Sequence, residues 1–294
     1  DEFMEAVKNN DDYILRFPID SDISSIMNIN DINYNELNSH VCDNGETIYY
    51  KKIKALDLWN KLIHCAWNTA EPGIIFEDAH NNYSPDSCYP EYKFVSTNPC
   101  GEIAMQPYDS CRLIHHVLTS FVKGNLYTKN AVIDWDEAYK QFYFGMMLGD
   151  ILIDLEIDAI YKIIAKINDD ISISLENKNT ELKLWYKIIE SAKNTRRTGI
   201  GFTALADMIA MLGLSYESDE AFKIVDKLMY IKQKAELNAT IDLAIVYGSF
   251  KGYNSNKEDN KFFKHIKTEF PKEYERMLQH GRRNLSWSTV NVAA

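Results

Sequence analysis

Apolar and polar positions change period several times along the chain, and each change predicts an element. Residues 14–19 (Ile-Leu-Arg-Phe-Pro-Ile) alternate weakly, as a strand does. Over 53–68, Ile53, Leu56, Leu58, Trp59, Leu62, Ile63, Ala66 and Trp67 recur at helical spacing, and Glu71-Pro72-Gly73 should end that helix. Ile74-Ile75-Phe76 reads as a short buried strand. A polar loop with Asn81, Asn82, Ser84, Pro85 and Asp86 follows it and leads into Phe94-Val95-Ser96. The apolar stretch from Cys111 to about Val122 predicts a helix, closed by a turn at Lys123-Gly124-Asn125. Over 135–167 the pattern is mostly helical, with Asp134 as N-cap and a break expected near Gly145 or Gly149.

The Asn/Asp-rich segment 168–180 predicts a surface loop, and 182–192 a helix. Thr195-Arg196-Arg197-Thr198-Gly199-Ile200-Gly201 predicts a turn or short strand, followed by a helix over 205–212 that Gly213 terminates. Ser218 should cap a long helix over 219–247, closed by Gly248. Residues 251–261 read as a charged loop, the Lys/Glu runs around 251–275 as a solvated face, and 285–292 alternate like a strand. Helices interleaved with short apolar strands predict an α/β architecture, of barrel or open-sheet type.

Composition narrows the function classes. With 294 residues, 46% of them hydrophobic and 26% charged, the chain can bury a substantial core. A net charge of -11 argues against binding a nucleic-acid polymer or an anionic membrane surface, both of which need clustered positive charge. The most apolar window, 142–167, carries Asp150, Asp154, Glu156 and Asp158, which lipid would not accept, so it predicts a packed helix and not a membrane span. The opening Asp1-Glu2-Phe3-Met4 does not resemble a signal peptide. Cys42, Cys65, Cys88, Cys100 and Cys111 therefore point to a reducing compartment, with the cytoplasm as the expected location.

The candidate chemistry centres on Asn98-Pro99-Cys100-Gly101-Glu102. Asn-Pro initiates turns, and Gly101 admits backbone geometry closed to other residues. In an extended or looped backbone, residues two apart point the same way, so an amide, a thiol and a carboxylate could face one small ligand together. The same residues also fit a structural turn with a buried cysteine. Cys111, within Pro107-Tyr108-Asp109-Ser110-Cys111-Arg112-Leu113, is a second thiol that a hairpin could return near the first, as redox chemistry requires. His64, Cys65, Cys88, His115 and His116 lack Cys-x-x-Cys spacing, and no metal site is expected from them. Arg196-Arg197 could meet phosphate, but pairing with surface carboxylates is the better expectation. Tyr108 fits a packed aromatic better than a radical-transfer residue.

Ser96-Thr97-Asn98-Pro99-Cys100-Gly101-Glu102, followed by Tyr108-Asp109-Ser110-Cys111, resembles the active-site segment of the ribonucleotide reductase large subunit, particularly its adenosylcobalamin-dependent class. The likeness extends to Ala66-Trp67, to Glu71-Pro72-Gly73-Ile74-Ile75-Phe76-Glu77-Asp78, to Arg196-Arg197-Thr198-Gly199-Ile200-Gly201 with Ala206-Asp207, and to Gly281-Arg282-Arg283-Asn284. It departs after the second cysteine, where Arg112-Leu113-Ile114 stands in place of the family's Asn-Leu-Gly. The resemblance implies that residues 1–294 are a single partial catalytic domain, a helix-rich part of a ten-stranded α/β barrel without the upstream strand or the downstream phosphate loop. It implies that Cys100 carries a thiyl radical, that Glu102 is the general base, that Asn98 holds substrate hydroxyls, and that Cys111 belongs to the reducing thiol pair. Ser96, Thr97 and Gly101 would line the substrate, a ribonucleoside diphosphate or triphosphate. The implied cofactor is adenosylcobalamin and the implied partner a dithiol reductant such as thioredoxin; a homodimer stays open. Two alternatives also stay open: the large subunit of a reductase with a separate di-metal radical subunit, and a nucleotide-binding remnant of the scaffold that no longer catalyses.

Overall fold

The weak alternation near the start of the chain forms strand β1 (Asp12–Ile19) in the computed structural model, which describes residues 1–19, 38–41, 47–110 and 112–290. The chain divides into two units, Asp1–Asp78 and Ala79–Ala294. In the first, helix α1 (Glu2–Asn9) precedes β1, and strands β2 (Asn38–Val41) and β3 (Thr47–Lys54) complete an antiparallel sheet with β3 at its centre. Asp12 stands opposite Lys54 and accepts ion pairs from Lys52 and Lys54 at 2.8 and 2.9 Å. The predicted helix at 53–68 is α2 (Ala55–Thr69), which ends on Ala70 in the left-handed region, just before Pro72. Phe3 of α1 packs edge-on against Tyr13 and Trp59, at ring-centroid distances of 5.1 and 6.4 Å.

Ile74-Ile75-Phe76 is not a buried strand. The three residues are irregular and about half exposed, with no neighbouring strand among the described residues. The polar stretch after them is not a loop either, because helix α3 (Glu77–Tyr83) and a 3-10 turn over Pro85–Cys88 occupy it.

In the second unit the hairpin β4 (Ser96–Thr97) and β5 (Ala104–Met105) leads into strand β6 (Leu113–Val117). The predicted helix to Val122 is therefore a strand followed by a 3-10 turn (Leu118–Phe121), with a small antiparallel pair, β7 (Val122–Lys123) and β8 (Val132–Ile133), beyond it. Leu113-Ile114-His115-His116-Val117 is only five residues long and two of them are histidines, so its pattern does not separate a strand from a helical turn. Helix α4 (Trp135–Asp169) starts where Asp134 accepts the Glu137 amide at 3.0 Å, and Ala138, Phe142, Met146, Ile153, Ile157, Ile160 and Ile164 form its buried stripe.

Helix α4 does not break at its glycines. A Cβ on Gly145 would lie 2.3 Å from His116 Nε2, and one on Gly149 would lie 2.7 Å from Ile200 Cδ1. The bare backbone at these positions lets the helix lie close over strands β6 and β9 (Gly199–Thr203). Helix α5 (Leu175–Thr195), capped by Ser174, begins within the expected surface loop, packs on α4 and returns the chain to β9. β6 and β9 pair in parallel, Leu113 opposite Gly199 and Val117 opposite Thr203. Helices α6 (Leu205–Met211), α7 (Asp219–Tyr247), α8 (Lys261–Glu269) and α9 (Pro271–His280) follow. The chain then returns parallel to β9, through a bridge between Ile200 and Ser288 and through hydrogen bonds from Ile200 N to Trp287 O (2.7 Å) and from Thr289 N to Ile200 O (3.1 Å).

The result is an arc of three parallel segments with helical crossovers between them, the arrangement from which an α/β barrel is built. Helices α8 and α9 occupy the expected solvated face. Phe263, Ile266, Phe270 and Met277 are buried, with Phe262 and Tyr274 packed beside them, and the charged residues around them mask the helical period in the sequence. No described helix is long and apolar enough to cross a membrane.

Candidate active site

Asn98-Pro99-Cys100-Gly101-Glu102 forms the tip of the β4–β5 hairpin. The strands set the loop by pairing Ser96 with Met105 and Thr97 with Ala104. Inside that ladder, Asn98 N donates to Ile103 O at 3.1 Å, and Ile103 N donates back to Asn98 Oδ1 at 3.1 Å. Gly101 N donates to Asn98 O at 3.0 Å, and Gly101 lies at φ +85, where a side chain would be strained. The amide oxygen of Asn98 thus closes the loop on itself, which leaves its amino group for other partners. Cys100 is exposed and free at the turn. Glu102 is partly buried, and its Oε2 is shielded from solvent without a hydrogen-bond partner. Ser96 is exposed, and Thr97 is half-buried beside it.

Cys111 and Cys42 lie outside the described residues. The residues on either side of Cys111 belong to a buried ionic network. Arg112 pairs with Glu156, donates from Nη1 to Arg197 O at 3.0 Å, and lies 3.5 Å from Asp109 Oδ1. Arg197 is almost fully buried and donates from Nε to Asp109 Oδ2 at 2.7 Å and from Nη2 to Asp86 Oδ2 at 3.2 Å. Burial alone would raise the Asp86 carboxyl. His80, Arg197 and Ser84 outweigh that effect and hold it at about 2. Burial would lower the Arg197 guanidinium, but Asp109 and Asp86 raise it above its ordinary value.

Arg196 is equally committed. It donates to Asp150 Oδ1 at 2.7 Å, to Asp154 Oδ1 at 2.8 Å and to the Asp150 carbonyl at 2.9 Å. Asn284 donates to the other side of the junction, to Asp150 Oδ1 at 3.0 Å and Arg196 O at 2.8 Å. The expectation of surface pairing for Arg196-Arg197 is corrected: Asp86, Asp109 and Asp150 are themselves buried, and only Asp154 reaches the surface. With their guanidinium groups so engaged, neither arginine is presented to a phosphate. Tyr108 is 44% exposed, so it is not a packed core aromatic; Lys187 Nζ donates to its hydroxyl at 3.1 Å.

Sequence reasoning missed two groups here. Asp86, Glu156 and Arg197 reach the Cys111 segment from 25 to 86 positions away, and no local spacing signals that. Thr289 reads in the sequence as one residue of an alternating strand, yet its Oγ1 donates to the Glu102 carbonyl at 2.8 Å.

A family model described as ribonucleotide reductase, barrel domain, matches residues 1–291. The chain belongs to that family. Among relatives, it is 28% identical over 214 residues to the vitamin B12-dependent ribonucleoside-diphosphate reductase of Thermoplasma acidophilum, a match covering 73% of this chain and 24% of that protein. It is 25% identical to the enzyme of the same description from Mycobacterium tuberculosis, across 70% of this chain and 25% of the relative. The ribonucleoside-diphosphate reductase large chain of Encephalitozoon cuniculi is 26% identical across 87% of this chain and 29% of its own length. The chain thus spans about a quarter of the length of the ribonucleotide reductases it matches. The parallel arc over α4 and α7 is this chain's part of the family's barrel, in agreement with the helix-rich partial barrel expected from the sequence.

Proposed function

We propose that this chain supplies the radical-bearing hairpin of a ribonucleotide reductase of the vitamin B12-dependent kind. The observation that carries the reading is the loop itself: an exposed thiol at the tip of a hydrogen-bonded hairpin, two residues before a carboxylate with a buried, unpartnered oxygen. The cofactor class rests on the names of the relatives in Thermoplasma acidophilum and Mycobacterium tuberculosis.

The turn is compatible with a radical-generating cofactor such as adenosylcobalamin, because Cys100 is open to solvent and a Cβ built on Gly101 meets no heavy atom within 4 Å, which leaves space beside the thiol. When bound, adenosylcobalamin supplies the hydrogen-atom abstraction that turns the Cys100 thiol into a thiyl. The Cys100 sulfur then takes the 3′ hydrogen atom of the ribonucleotide, forming S–H and leaving the unpaired electron on carbon. Glu102 accepts the proton of the 3′ hydroxyl, a task for a carboxylate oxygen within hydrogen-bond reach. The amino group of Asn98 holds the substrate hydroxyls, and Ser96, Thr97 and Gly101 are the residues that line the substrate.

The 2′ hydroxyl leaves as water, with one proton from the reducing thiols. Cys111 and a second cysteine give up two electrons and two protons in all, the second proton ending in the new C2′–H bond, and become a disulfide. Glu102 returns its proton to the 3′ oxygen, and return of the hydrogen atom from Cys100 to C3′ restores the thiyl. A dithiol reductant such as thioredoxin resets the pair.

The test is turnover by the full-length protein on ribonucleoside diphosphates and triphosphates, with adenosylcobalamin and a dithiol. Deoxynucleotide should form, and Cys100→Ser should abolish it. Product that forms only when a di-metal radical subunit is added would overturn the cofactor class. Product formation that survives Cys100→Ser would overturn the site.

A further inference from the structure

The Glu102 side chain has nothing of its own to aim it. Its Oε2 is buried without a partner, so the direction of the carboxylate follows from how the main chain beneath it is held. That main chain is tied to the parallel arc by Thr289, whose Oγ1 donates to the Glu102 carbonyl at 2.8 Å. Thr289 is buried, and its own amide donates to Ile200 O at 3.1 Å, which fixes it on the neighbouring strand β9. Lys232 of helix α7 braces the same point. Its Nζ donates to Ile200 O at 2.8 Å and to the Ser288 hydroxyl, and lies 2.7 Å from Glu236 Oε1 in a buried pair.

The packing leaves this joint little slack. A Cβ on Gly199 would lie 2.7 Å from both Ile103 Cδ1 and Leu113 Cδ2, and 3.3 Å from Thr289 Cγ2. The residue after Glu102, the first residue of β6 and Thr289 therefore close around one bare backbone position. A hairpin tip held only by its two-residue strands would be free to rock. The hydroxyl of Thr289 removes that freedom at the residue whose aim matters.

We propose that Thr289 is a positioning residue for Glu102, holding its main chain so that the carboxylate meets the substrate hydroxyl, with Lys232 as the brace behind it. The inference rests on the catalytic role proposed for Glu102. Thr289→Val keeps the shape and the Cγ2 contact but removes the donor, whereas Thr289→Ser keeps the donor.

In the full-length protein, Thr289→Val should lower kcat by about 10–100-fold, leave KM for the ribonucleotide within about twofold, and be largely rescued in Thr289→Ser. Hydrogen–deuterium exchange supplies the second readout. Amides over 98–105 should exchange faster in Thr289→Val and as in the wild type in Thr289→Ser, with 113–117 unchanged in both. Wild-type exchange over 98–105 in Thr289→Val overturns the tether, and so does a serine variant as loose as the valine one. Full activity in a loosened Thr289→Val protein overturns the positioning role while the function of the hairpin stands. A wild-type protein that makes no deoxynucleotide overturns the role of Glu102 and with it the positioning claim, and the exchange comparison still decides the tether.

Discussion

His116 shows how one residue couples packing to pH. Its ring sits edge-on to Phe142 at a centroid distance of 4.8 Å, its Nε2 is buried without a partner, and the bare Gly145 lies against it. Burial, helped by the positive charges of Lys232 and His115, lowers its pKa from 6.5 to about 4. The folded state keeps His116 neutral, whereas the unfolded chain takes up the proton below about pH 6.5. Stability from this residue is therefore complete above pH 6.5 and is lost as pH falls from 6.5 toward 4. Discounted for the partial exposure of the ring, the loss is about 1–3 kcal/mol. Urea unfolding at pH 7.5 and pH 5 should show that difference, and His116→Gln should flatten it.

At the scale of elements, the close approach of α4 to the parallel strands depends on its glycines. Gly145→Ala puts a methyl group 2.3 Å from His116 Nε2 and should cost about 1–3 kcal/mol. Gly73→Ala, where a Cβ meets nothing within 4 Å, should leave the melting temperature nearly unchanged. These same glycines explain one misreading of the sequence. Gly145 and Gly149 suggest a break, because glycine weakens an isolated helix, and only the strands beneath show why glycine is needed. Capped helices were legible: Asp134 and Ser218 each accept the amide three residues on, a purely local signal. The hairpin at 98–102 was legible for the same reason, since Asn-Pro and Gly act within the turn itself. Strand β6 was not, because five residues interrupted by His115 and His116 are too few to show a period of their own. Helices α8 and α9 were hidden by charge. The ties that hold the site, from Thr289 to Glu102 and from Arg197 to Asp86, join residues 187 and 111 positions apart, and no spacing rule reaches that far.

At the scale of the whole second unit, one of several buried ionic networks is organised around Arg197. Asp109 lies between Arg197 and Arg112, so Asp109→Ala would leave two buried guanidinium groups short of a carboxylate. The expected cost is about 3–5 kcal/mol, with little dependence on salt because the pairs are shielded from solvent. Chemical denaturation at low and high ionic strength measures both. Acid should act in two separate ranges. His116 responds between pH 6.5 and about 4, and the paired Asp86 carboxyl, lowered from 3.8 to about 2, gives up its contribution only as pH falls through that lower range.

The parallel arc has one more consequence, for handling the protein. An arc has two rims where a closed barrel has none. Among the described residues, the outer edge of β6 and the outer edge of the segment around Ser288 carry no paired strand. Backbone N–H and C=O groups along such rims accept any strand of suitable direction, including one from another copy. Purified by itself, this chain should therefore self-associate increasingly as its concentration rises, through backbone pairing that added salt does little to prevent.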